Sequence, residues 1–414
     1  MSREHLFRAS CFALLVTSMT FAIRAGMLET LGKQFGLTTQ ALGWIAGAAF
    51  WGFPLAVIVG GWLCDIIGMK KLMVVASLTH LLGILLTIYS TGFWSLYIST
   101  LLIGIANGTV EAVCNPLIAT LYPENKTTKL NHFHFWFPGG IVIGGLIVFF
   151  FNKLGWSWQL QMATMLVPLA IYTWLFMKEK FPVTERLASG ISQSEMYKSL
   201  GSPLFLFMIL CMFGTAITEL GTNQWIDLLL KNVTDNPILI LVYISGIMAL
   251  GRSLAGNIVH TISPSGVLFV SAILSAVGLA LLSSVSGTMV FVAAGIFAIG
   301  VCYFWPTMLG FVSENIPQSG ALGLALIGAA GMFATSIFFP IMGKMYDQQL
   351  VNLLPSGADL ALYKNAAANT KEAVDFAKVQ LQAGPYILRN MAIIPSILIL
   401  AFGGLHFFYG KNLR

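Results

Sequence analysis

Residues 110–122, VEAVCNPLIATLY, place a glutamate and an asparagine inside an otherwise apolar run. From Leu96 to Leu121 the chain carries only apolar, small or uncharged polar residues apart from Glu111. This run is longer than the roughly 20 residues that a helix needs to cross a bilayer. A carboxyl group inside a membrane span is costly and is usually retained for function. Glu111 is therefore expected to mark a functional position in a membrane-spanning helix.

The composition extends this interpretation to the whole chain. Of its 414 residues, 57% are hydrophobic and only 9% are charged, whereas a soluble globular protein carries about 25% charged residues. The chain must therefore present apolar surface to lipid. Its net charge of +6 comes mostly from short connectors, which indicates membrane orientation and not a nucleic-acid partner. The five scattered cysteines predict neither disulfides nor a metal site, and no cofactor is expected.

Twelve segments are long and apolar enough to span a membrane, which predicts an all-α integral membrane protein. They are residues 7–31, 41–63, 70–90, 94–121, 129–152, 157–178, 202–230, 236–260, 264–284, 288–312, 318–343 and 384–409. The first segment has no small-residue cleavage site, so we interpret it as a span and not as a signal peptide.

The distribution of charge predicts the orientation and the domains. Lysines and arginines concentrate in the connectors that face the cytoplasm if both termini are cytoplasmic. The polar stretch from Lys178 to Pro203 divides six spans from six, and two half-units around a central site are a recurring transporter plan. We therefore predict an N-terminal bundle over 1–180, a cytoplasmic linker over 181–201, and a C-terminal bundle over 202–414 with a polar outside loop at 344–383.

The connector between the second and third spans resembles the loop signature of the major facilitator superfamily. It reads Gly61-x-Leu63-x-Asp65-x-x-Gly68-x-Lys70-Lys71. Its glycines allow a tight turn, its carboxylate can attract a helix N-terminus, and its lysines suit lipid head groups. The resemblance implies two pseudo-symmetric six-helix bundles and a gate formed by Gly61, Asp65, Gly68, Lys70, Lys71 and the second-half residue Arg252, with Glu314 at the same face. The alternative is a positive-inside loop without a gating role.

A second, narrower match resembles the fucose–galactose–glucose branch of that superfamily. Its residues are Gly104-x-x-x-Gly108, Glu111-x-x-x-Asn115-Pro116, Pro123-Glu124 and Leu130-Asn131-x-x-His134-x-x-Phe137-x-x-Gly140. The resemblance implies sugar transport driven by a proton or sodium gradient. The chain departs from the pattern in the first span, where proton-coupled fucose carriers have an acidic residue and this chain has Arg24. This arginine is expected either to pair with Glu111 or to bind an anionic substrate.

Two polar pairs lead the candidates for the transport site. Glu111 and Asn115 lie four residues apart and so share a helical face, and Glu219 and Asn223 repeat that spacing in the seventh span. The resemblance implies that both helices line a central cavity. Because burial favours the protonated form of a carboxyl group, Glu111 and Glu219 are candidates for ion coupling as well as substrate binding. The alternative is a structural ion pair between Glu111 and Arg24.

Amides, an imidazole and aromatic rings complete the predicted substrate site. Asn131 and His134 share one face and can both donate and accept hydrogen bonds; a position near the cytoplasmic mouth would favour gating over binding. Trp225 and Trp305 are chosen because flat rings stack on sugars. Trp225 follows Asn223 and Gln224, and Trp305 precedes Pro306, near which the tenth span is expected to bend. The full substrate-binding set is Arg24, Glu111, Asn115, Asn131, His134, Glu219, Asn223, Gln224, Trp225 and Trp305.

These residues predict a secondary active transporter that moves a monosaccharide or related polyol by alternating access with an H⁺ or Na⁺ gradient. The alternative is an organic-anion or drug exporter, which Arg24 favours. An enzyme is not expected, because the sequence has no nucleophile elbow, HExxH motif or nucleotide loop. The expected partners are the solute, the coupling ion and the lipid bilayer, and the chain is expected to be a monomer. The expected location is the plasma membrane, or the inner membrane of a Gram-negative cell, with multiple spans and both termini cytoplasmic.

Overall fold

The computed structural model describes residues 2–37, 39–223, 237–364, 366–367 and 370–409. Within these ranges it places every side chain except those of residues 28–29, 39–40, 43, 237–239, 340, 361, 364 and 408–409. The described residues form helices and connectors and contain no β-strand. A helix satisfies its own backbone hydrogen bonds, which is what an apolar run in lipid requires.

The first half of the chain contains eight described helices, and the polar stretch after it contains two short ones. They are α1 (Arg3–Phe35), α2 (Thr39–Leu63), α3 (Met69–Ile88), α4 (Phe93–Leu121), α5 (Lys126–His134), α6 (Trp136–Lys153), α7 (Trp158–Ala163), α8 (Leu166–Lys178), α9 (Glu185–Ala188) and α10 (Gln193–Leu200).

The second half begins with α11 (Pro203–Ala216), which continues into a π-helical turn at Ile217–Gly221. The described helices that follow are α12 (Pro237–Ser253), α13 (Ala255–Ile262), α14 (Pro264–Leu282), α15 (Met289–Val301), α16 (Phe304–Asn315), α17 (Gly320–Leu353), α18 (Leu360–Lys364), α19 (Lys371–Met391) and α20 (Ile393–Gly404). A 3₁₀ turn (Pro317–Ser319) precedes α17, and a π-helical turn (Leu405–Tyr409) follows α20.

The number of membrane-spanning helices agrees with the prediction of twelve. Among the described residues, 11 helices are long and apolar enough to cross a membrane, and a twelfth span is formed if α12 and α13 count as one helix bent by 64°. The bend falls at Leu254, two residues after Arg252. The eighth predicted span is therefore a broken helix, which the apolar pattern of the sequence does not reveal.

Prolines explain the other breaks within spans. A proline has no N–H for the carbonyl four residues before it, and its ring clashes with that carbonyl. Four helix pairs in single spans are interrupted three or four residues before a proline: α5 and α6 before Pro138, α7 and α8 before Pro168, α15 and α16 before Pro306, and α19 and α20 before Pro395. The bend predicted near Pro306 is thus observed as an interruption of the tenth span.

Glycines allow the helices of the first half to pack closely. A Cβ on Gly104 would lie 2.7 Å from the backbone oxygen of Ala49, so α4 and α2 approach each other along their backbones. A Cβ on Gly144 would lie 2.9 Å from the Ala22 side chain, which brings α6 against α1. Small residues that permit such approach are typical of packing between membrane helices.

Two contacts fix the register of α1 against α4. The ring of Phe7 packs edge-on against Tyr122, with 5.8 Å between centroids. Further along α1, Thr20 Oγ1 accepts a hydrogen bond of 3.0 Å from Asn107 Nδ2. Residue numbers rise along α1 while they fall along α4, so the two helices run antiparallel.

The chain forms two compact units. The first contains Met1–Met212, Ala249–Pro264 and Trp305–Met332, so it includes the first half together with parts of two second-half spans and the start of α17. The second contains Phe213–Met248, Ser265–Phe304 and Phe333–Arg414. The predicted division into bundles at 181–201 stays a prediction. In the segment predicted as an outside loop, 344–383, α17 extends to Leu353 and α19 begins at Lys371, so much of it is helical.

Candidate functional site

Glu111, Asn115 and His134 form a hydrogen-bonded chain, here called the ionisable chain. Asn115 Nδ2 donates to Glu111 Oε2 over 2.6 Å, as the four-residue spacing predicts. Asn115 Oδ1 must therefore be the acceptor for His134 Nε2, which lies 3.0 Å away. The three side chains are at least 95% buried. A carboxyl group and an imidazole are thus held together inside the span region by one amide.

Arg252 supplies positive charge to this chain. Its guanidinium donates to the backbone oxygen of His134 over 2.9 Å and is close enough to Glu111 for an electrostatic interaction. Arg252 is 1% exposed and lies beside the bend between α12 and α13. The residue that we assigned to the gate therefore contacts one residue that we assigned to substrate binding, His134, and lies within electrostatic range of another, Glu111.

Arg24 does not pair with Glu111, which overturns the structural alternative. From the hydrogen bond between Thr20 and Asn107, Arg24 lies one turn further along α1 and Glu111 one turn further along α4. Because the helices are antiparallel, these turns lead in opposite directions and separate the two residues by about 12 Å along the helix axes. The positively charged residue near Glu111 is Arg252 instead. Arg24 itself is 7% exposed.

Asn131 contacts the second half of the chain as well as its own helix. Its Nδ2 donates to the backbone oxygen of Thr127 over 3.0 Å and lies 3.2 Å from Thr307 Oγ1 on α16. Its Oδ1 is buried and has no hydrogen-bond partner among the described residues. Asn131 therefore joins α5 to α16 within the first unit, and its Oδ1 is available as a hydrogen-bond acceptor.

The seventh-span pair lies in the other compact unit. Glu219 is 4% exposed and sits in the π-helical turn that continues α11. Such turns are rare and occur frequently at functional sites, and nothing in the spacing of the sequence predicts this one. Asn223 is half-buried, and its buried Oδ1 has no partner among the described residues. Gln224 and Trp225 lie outside the described residues, and convergence of both pairs on one cavity stays a prediction.

Trp305 lies in the first unit at the start of α16 and is 9% exposed. A Cβ on Gly328 would lie 3.7 Å from its ring, so the indole packs against α17. Its role in substrate binding stays a prediction.

The predicted gate residue Asp65 is held by the polar stretch between the halves. Its Oδ2 accepts a hydrogen bond of 2.6 Å from Arg186 Nε, and its Oδ1 accepts one from the Thr184 hydroxyl. The side chains of Asp65 and Arg186 are only 5% and 4% exposed. The motif predicted that Asp65 is important but did not predict its partners, which lie about 120 positions later in the sequence.

A second ion pair ties the same stretch to both halves. Lys126 Nζ lies 2.8 Å from each Glu185 carboxylate oxygen and 3.1 Å from the backbone oxygen of Ser313. Glu314 Oε1 accepts from the backbone N–H and hydroxyl of Thr127, at the N-terminus of α5, where negative charge is favourable. We call Asp65, Lys126, Glu185, Arg186 and Glu314 the ionic latch.

The remaining motif residues shape the connector. A Cβ on Gly61 would collide with Ala325, so α2 meets α17 where only a glycine fits. Gly68 has φ +87° and ends the turn before α3, a conformation that favours glycine. Lys70 Nζ donates to the backbone oxygens of Met177 and Glu179 at the end of α8. Lys71 is exposed.

A polar chain that the sequence analysis did not identify joins four helices of the first unit. The Tyr172 hydroxyl lies 2.9 Å from His80 Nδ1, and His80 Nε2 lies 2.8 Å from Asn107 Oδ1. Asn107 Nδ2 donates to Thr20 Oγ1, and the Thr20 hydroxyl donates to the backbone oxygen of Thr17 over 2.6 Å. Every link can be made without an ionised group, so we call Tyr172, His80, Asn107 and Thr20 the neutral chain.

Comparison with known families gives one match across most of the chain. The family model of the Major Facilitator Superfamily matches residues 10–347.

Relatives of the chain are similar over shorter regions. A D-xylose transporter of Levilactobacillus brevis is 28% identical over 150 residues, which cover 36% of this chain and 32% of that protein. A probable chloroplastic anion transporter of Arabidopsis thaliana is 27% identical over 146 residues, covering 35% and 28%. A D-galactonate transporter of Escherichia coli O6:H1 is 25% identical over 166 residues, covering 40% and 38%. The matched regions thus span less than two fifths of the length of each of these relatives.

Solved structures match nearly the whole chain. The proton:xylose symporter XylE has a TM-score of 0.73 at 16% identity, covering 97% of this chain and 95% of that one. The E. coli fucose:proton symporter FucP has a TM-score of 0.67 at 16% identity, covering 96% and 99%. At such identities the similarity shows the fold alone, and it confirms the predicted fold class.

Proposed function

Because the chain belongs to the Major Facilitator Superfamily, we propose that it is a secondary transporter that moves a small polar solute by alternating access. The solute that we propose is a monosaccharide or a related polyol. Buried amides and an imidazole near the ionisable chain suit hydroxyl groups, and one relative is a D-xylose transporter. The superfamily and the fold are those of transporters and not of enzymes.

The observation that carries the proposal is the contact between the ionisable chain and Arg252. In the structure, a buried carboxyl group of the first half lies near an arginine that belongs to a broken helix of the second half. When Arg252 withdraws, Glu111 loses its positive neighbour in an apolar environment, which favours the protonated carboxyl group. Proton uptake by Glu111 is then linked to the opening of the gate, and Glu219 is the candidate for the corresponding role in the other unit.

The ionic latch is the proposed gate. It joins the polar stretch at Glu185 and Arg186 to the first half at Asp65 and Lys126, and Lys126 also reaches Ser313 of the second half. Solute release on this face requires these contacts to break. We propose that this face is cytoplasmic, with both termini on the same side, as the distribution of lysines and arginines predicts.

Asn131, Asn223 and Trp305 are proposed to contact the solute. The two asparagines each keep a buried acceptor oxygen that has no partner among the described residues, so each can accept a hydroxyl hydrogen. The Trp305 ring can pack against the apolar face of a sugar.

The proposed partners are one solute and one coupling ion, H⁺ or Na⁺, for a monomer in the plasma membrane.

Reconstitution tests this function. The purified protein is placed in liposomes, and uptake of radiolabelled aldoses, polyols and the corresponding aldonic acids is measured with an imposed pH gradient, an imposed sodium gradient, or neither. We expect saturable accumulation of at least one solute that collapses when one of the two gradients is removed. The ionophore that dissipates only that gradient identifies the coupling ion.

Absence of transport would contradict the proposal. If liposomes containing the folded protein take up none of the tested solutes faster than protein-free liposomes, under any gradient, the proposed function is wrong. Folding is checked separately by a cooperative melting transition of the same preparation in detergent.

A second candidate is organic-anion transport, in either direction. The specific observation in its favour is the buried guanidinium of Arg24, and one relative is a probable anion transporter.

A further inference from the structure

Arg24 is a buried charge without a partner in the described part of the chain. The side chain is more than nine-tenths buried on α1. No hydrogen bond, ion pair or ring contact joins it to any of the described residues, and the carboxylate expected to pair with it, Glu111, lies about two turns away. A guanidinium stays charged in such an environment.

Other buried basic side chains of the first unit are paired with a carboxylate or donate to a backbone oxygen beside one. Arg186 binds the Asp65 carboxylate, Lys126 binds Glu185, and Arg252 donates to a backbone oxygen beside Glu111. Burial of a charge without such compensation is unfavourable, and buried charges are normally paired. The exception at Arg24 therefore points to a negative group that is not part of the described chain.

The position of Arg24 connects it with the proposed transport site. It lies one turn from Thr20 on α1, and Thr20 binds Asn107, which lies one turn from Glu111 on α4. The neutral chain thus holds the helix that carries Arg24 and the helix that carries Glu111 in one register. Arg24 and the ionisable chain lie on opposite sides of that contact along the same helix pair.

We propose that Arg24 binds the carboxylate of the transported solute, so that the solute is a hydroxylated carboxylic acid, such as a sugar acid, and not a neutral sugar. The guanidinium offers two parallel N–H groups that match a carboxylate. This inference rests on the proposed function, secondary transport of a small hydroxylated solute, and it replaces the neutral sugar or polyol proposed there with the corresponding acid.

The first test compares matched solutes on the wild-type protein. D-Galactonate, D-galactose and galactitol share their hydroxyl pattern from C2 to C5 and differ at C1, and D-gluconate, D-glucose and sorbitol form a second set. We expect an acid from these sets to raise the melting temperature and to be taken up by proteoliposomes. Its neutral counterparts are expected to bind at least about 30-fold more weakly, because one partner of a buried charge pair is missing.

The second test removes the guanidinium. Arg24→Gln is expected to weaken binding of the acid at least about 30-fold and to leave the weak binding of the neutral sugar unchanged. Arg24→Lys keeps the positive charge but lacks the two parallel N–H donors of a guanidinium. Its binding of the acid is therefore expected to weaken less than that of Arg24→Gln. Arg3→Gln is the matched control, since Arg3 is exposed and pairs with Glu124 on the surface.

A stability measurement separates binding from a structural role. Without ligand, Arg24→Met is expected to melt at the same temperature as the wild type or higher, because it removes an uncompensated buried charge. Glu29→Gln is measured in parallel, since the Glu29 side chain lies outside the described ones. A lower melting temperature for both variants would show that a carboxylate of the protein occupies Arg24, and it would overturn the inference.

The remaining outcomes distinguish the inference from the proposed function. Transport of neutral sugars with no response to their acids overturns the inference and leaves the proposed function intact. Failure of both classes of solute overturns both. Equal stabilisation by potassium phosphate or potassium chloride at the same concentration would show a general anion site and would also overturn the assignment to a carboxylated solute.

Discussion

The neutral chain and the ionisable chain are both buried and both depend on an asparagine of α4, yet they differ in chemistry. In the neutral chain, Asn107 joins a histidine to a threonine, and every link can form without charge. In the ionisable chain, Asn115 joins a carboxyl group to an imidazole, with Arg252 nearby. A polar group buried with all its partners stabilises one arrangement, whereas a charge that depends on a distant helix changes when that helix moves.

Because of this difference, the two chains on α4 are expected to have different roles. The neutral chain joins α1, α3, α4 and α8 and is expected to hold the first half together during transport. The ionisable chain, two turns away along α4 at Asn115, meets the second half through Arg252 and is expected to change its protonation. The two regions should therefore respond differently to substitution.

The largest effect is expected for Glu111→Gln, which breaks the ionisable chain chemically while keeping its shape. The new amide can still accept from Asn115 Nδ2, so folding should be preserved, but it cannot carry a proton. Gradient-driven accumulation of the solute in proteoliposomes is expected to fall to the level of protein-free liposomes. Glu124→Gln, at an exposed carboxylate, is the control and should accumulate solute normally. Unaltered accumulation by Glu111→Gln would remove Glu111 from ion coupling.

The next effect is expected at the ionic latch, where Arg186→Met leaves the buried Asp65 carboxylate without its arginine. Loss of one partner of a buried ion pair costs about 3–5 kcal/mol, so the closed gate should lose population by about 100-fold or more. The measurement is alkylation of a single cysteine at Ala321, which is buried beside Gly61, in a background without other cysteines. Lys198→Met, at an exposed lysine, serves as the control. Equal alkylation rates for Arg186→Met and the control would show that the latch does not hold the gate.

A smaller effect is expected for His80→Phe, which breaks the neutral chain. Asn107 Oδ1 loses its His80 partner and the Tyr172 hydroxyl loses one of its partners, and a buried polar group left unsatisfied costs about 1–3 kcal/mol. The melting temperature in detergent should fall, and Tyr172→Phe should cost less when His80 is already replaced, because the two side chains share one hydrogen bond. The ion dependence of transport should be unchanged. Strictly additive losses in the double variant would argue against a connected chain.

The smallest effect concerns the N-terminus, away from both chains. The Ser2 N–H and His5 bind Glu179, and these hydrogen bonds lower the pKa of its carboxyl group below the ordinary value. The contact is therefore fully present above the pKa of an unfolded glutamate, about 4.3, and is lost as the pH falls through the lower folded value. Between pH 7 and pH 5, Glu179→Gln should change the melting temperature by only a degree or two. A loss of uptake in this variant would give the N-terminus a role that the structure does not suggest.

Spacing along one helix correctly predicted that Glu111 and Asn115 lie together. Glu111 and Asn115 were placed together because residues four apart share a face, and they form a hydrogen bond. The apolar runs predicted the spans, since their length follows from the thickness of the bilayer. The prolines predicted the interruption of the tenth span, since a missing N–H is a local property.

Contacts between distant segments could not be read from spacing. The pairing of Asp65 with Arg186 joins a motif to a stretch that the sequence presents only as a polar linker. His80 lies alone in an apolar run, where a histidine has no distinctive pattern. The sequence offered only an indirect signal for the neutral chain: two of its members, Thr20 and Asn107, lie four residues before Arg24 and Glu111 on the same helices. The alternative of a structural pair between Arg24 and Glu111 is wrong because α1 and α4 run antiparallel, which separates the two residues along the helix axes.

The most direct test of the contrast measures accumulation and melting together on Glu111→Gln and His80→Phe, using the solute identified by reconstitution. We predict opposite results: Glu111→Gln loses gradient-driven accumulation and keeps the wild-type melting temperature, whereas His80→Phe melts earlier and still accumulates solute with the wild-type ion dependence. If both variants lose accumulation and stability in parallel, the two chains form one structural network, and the assignment of coupling to Glu111 is contradicted.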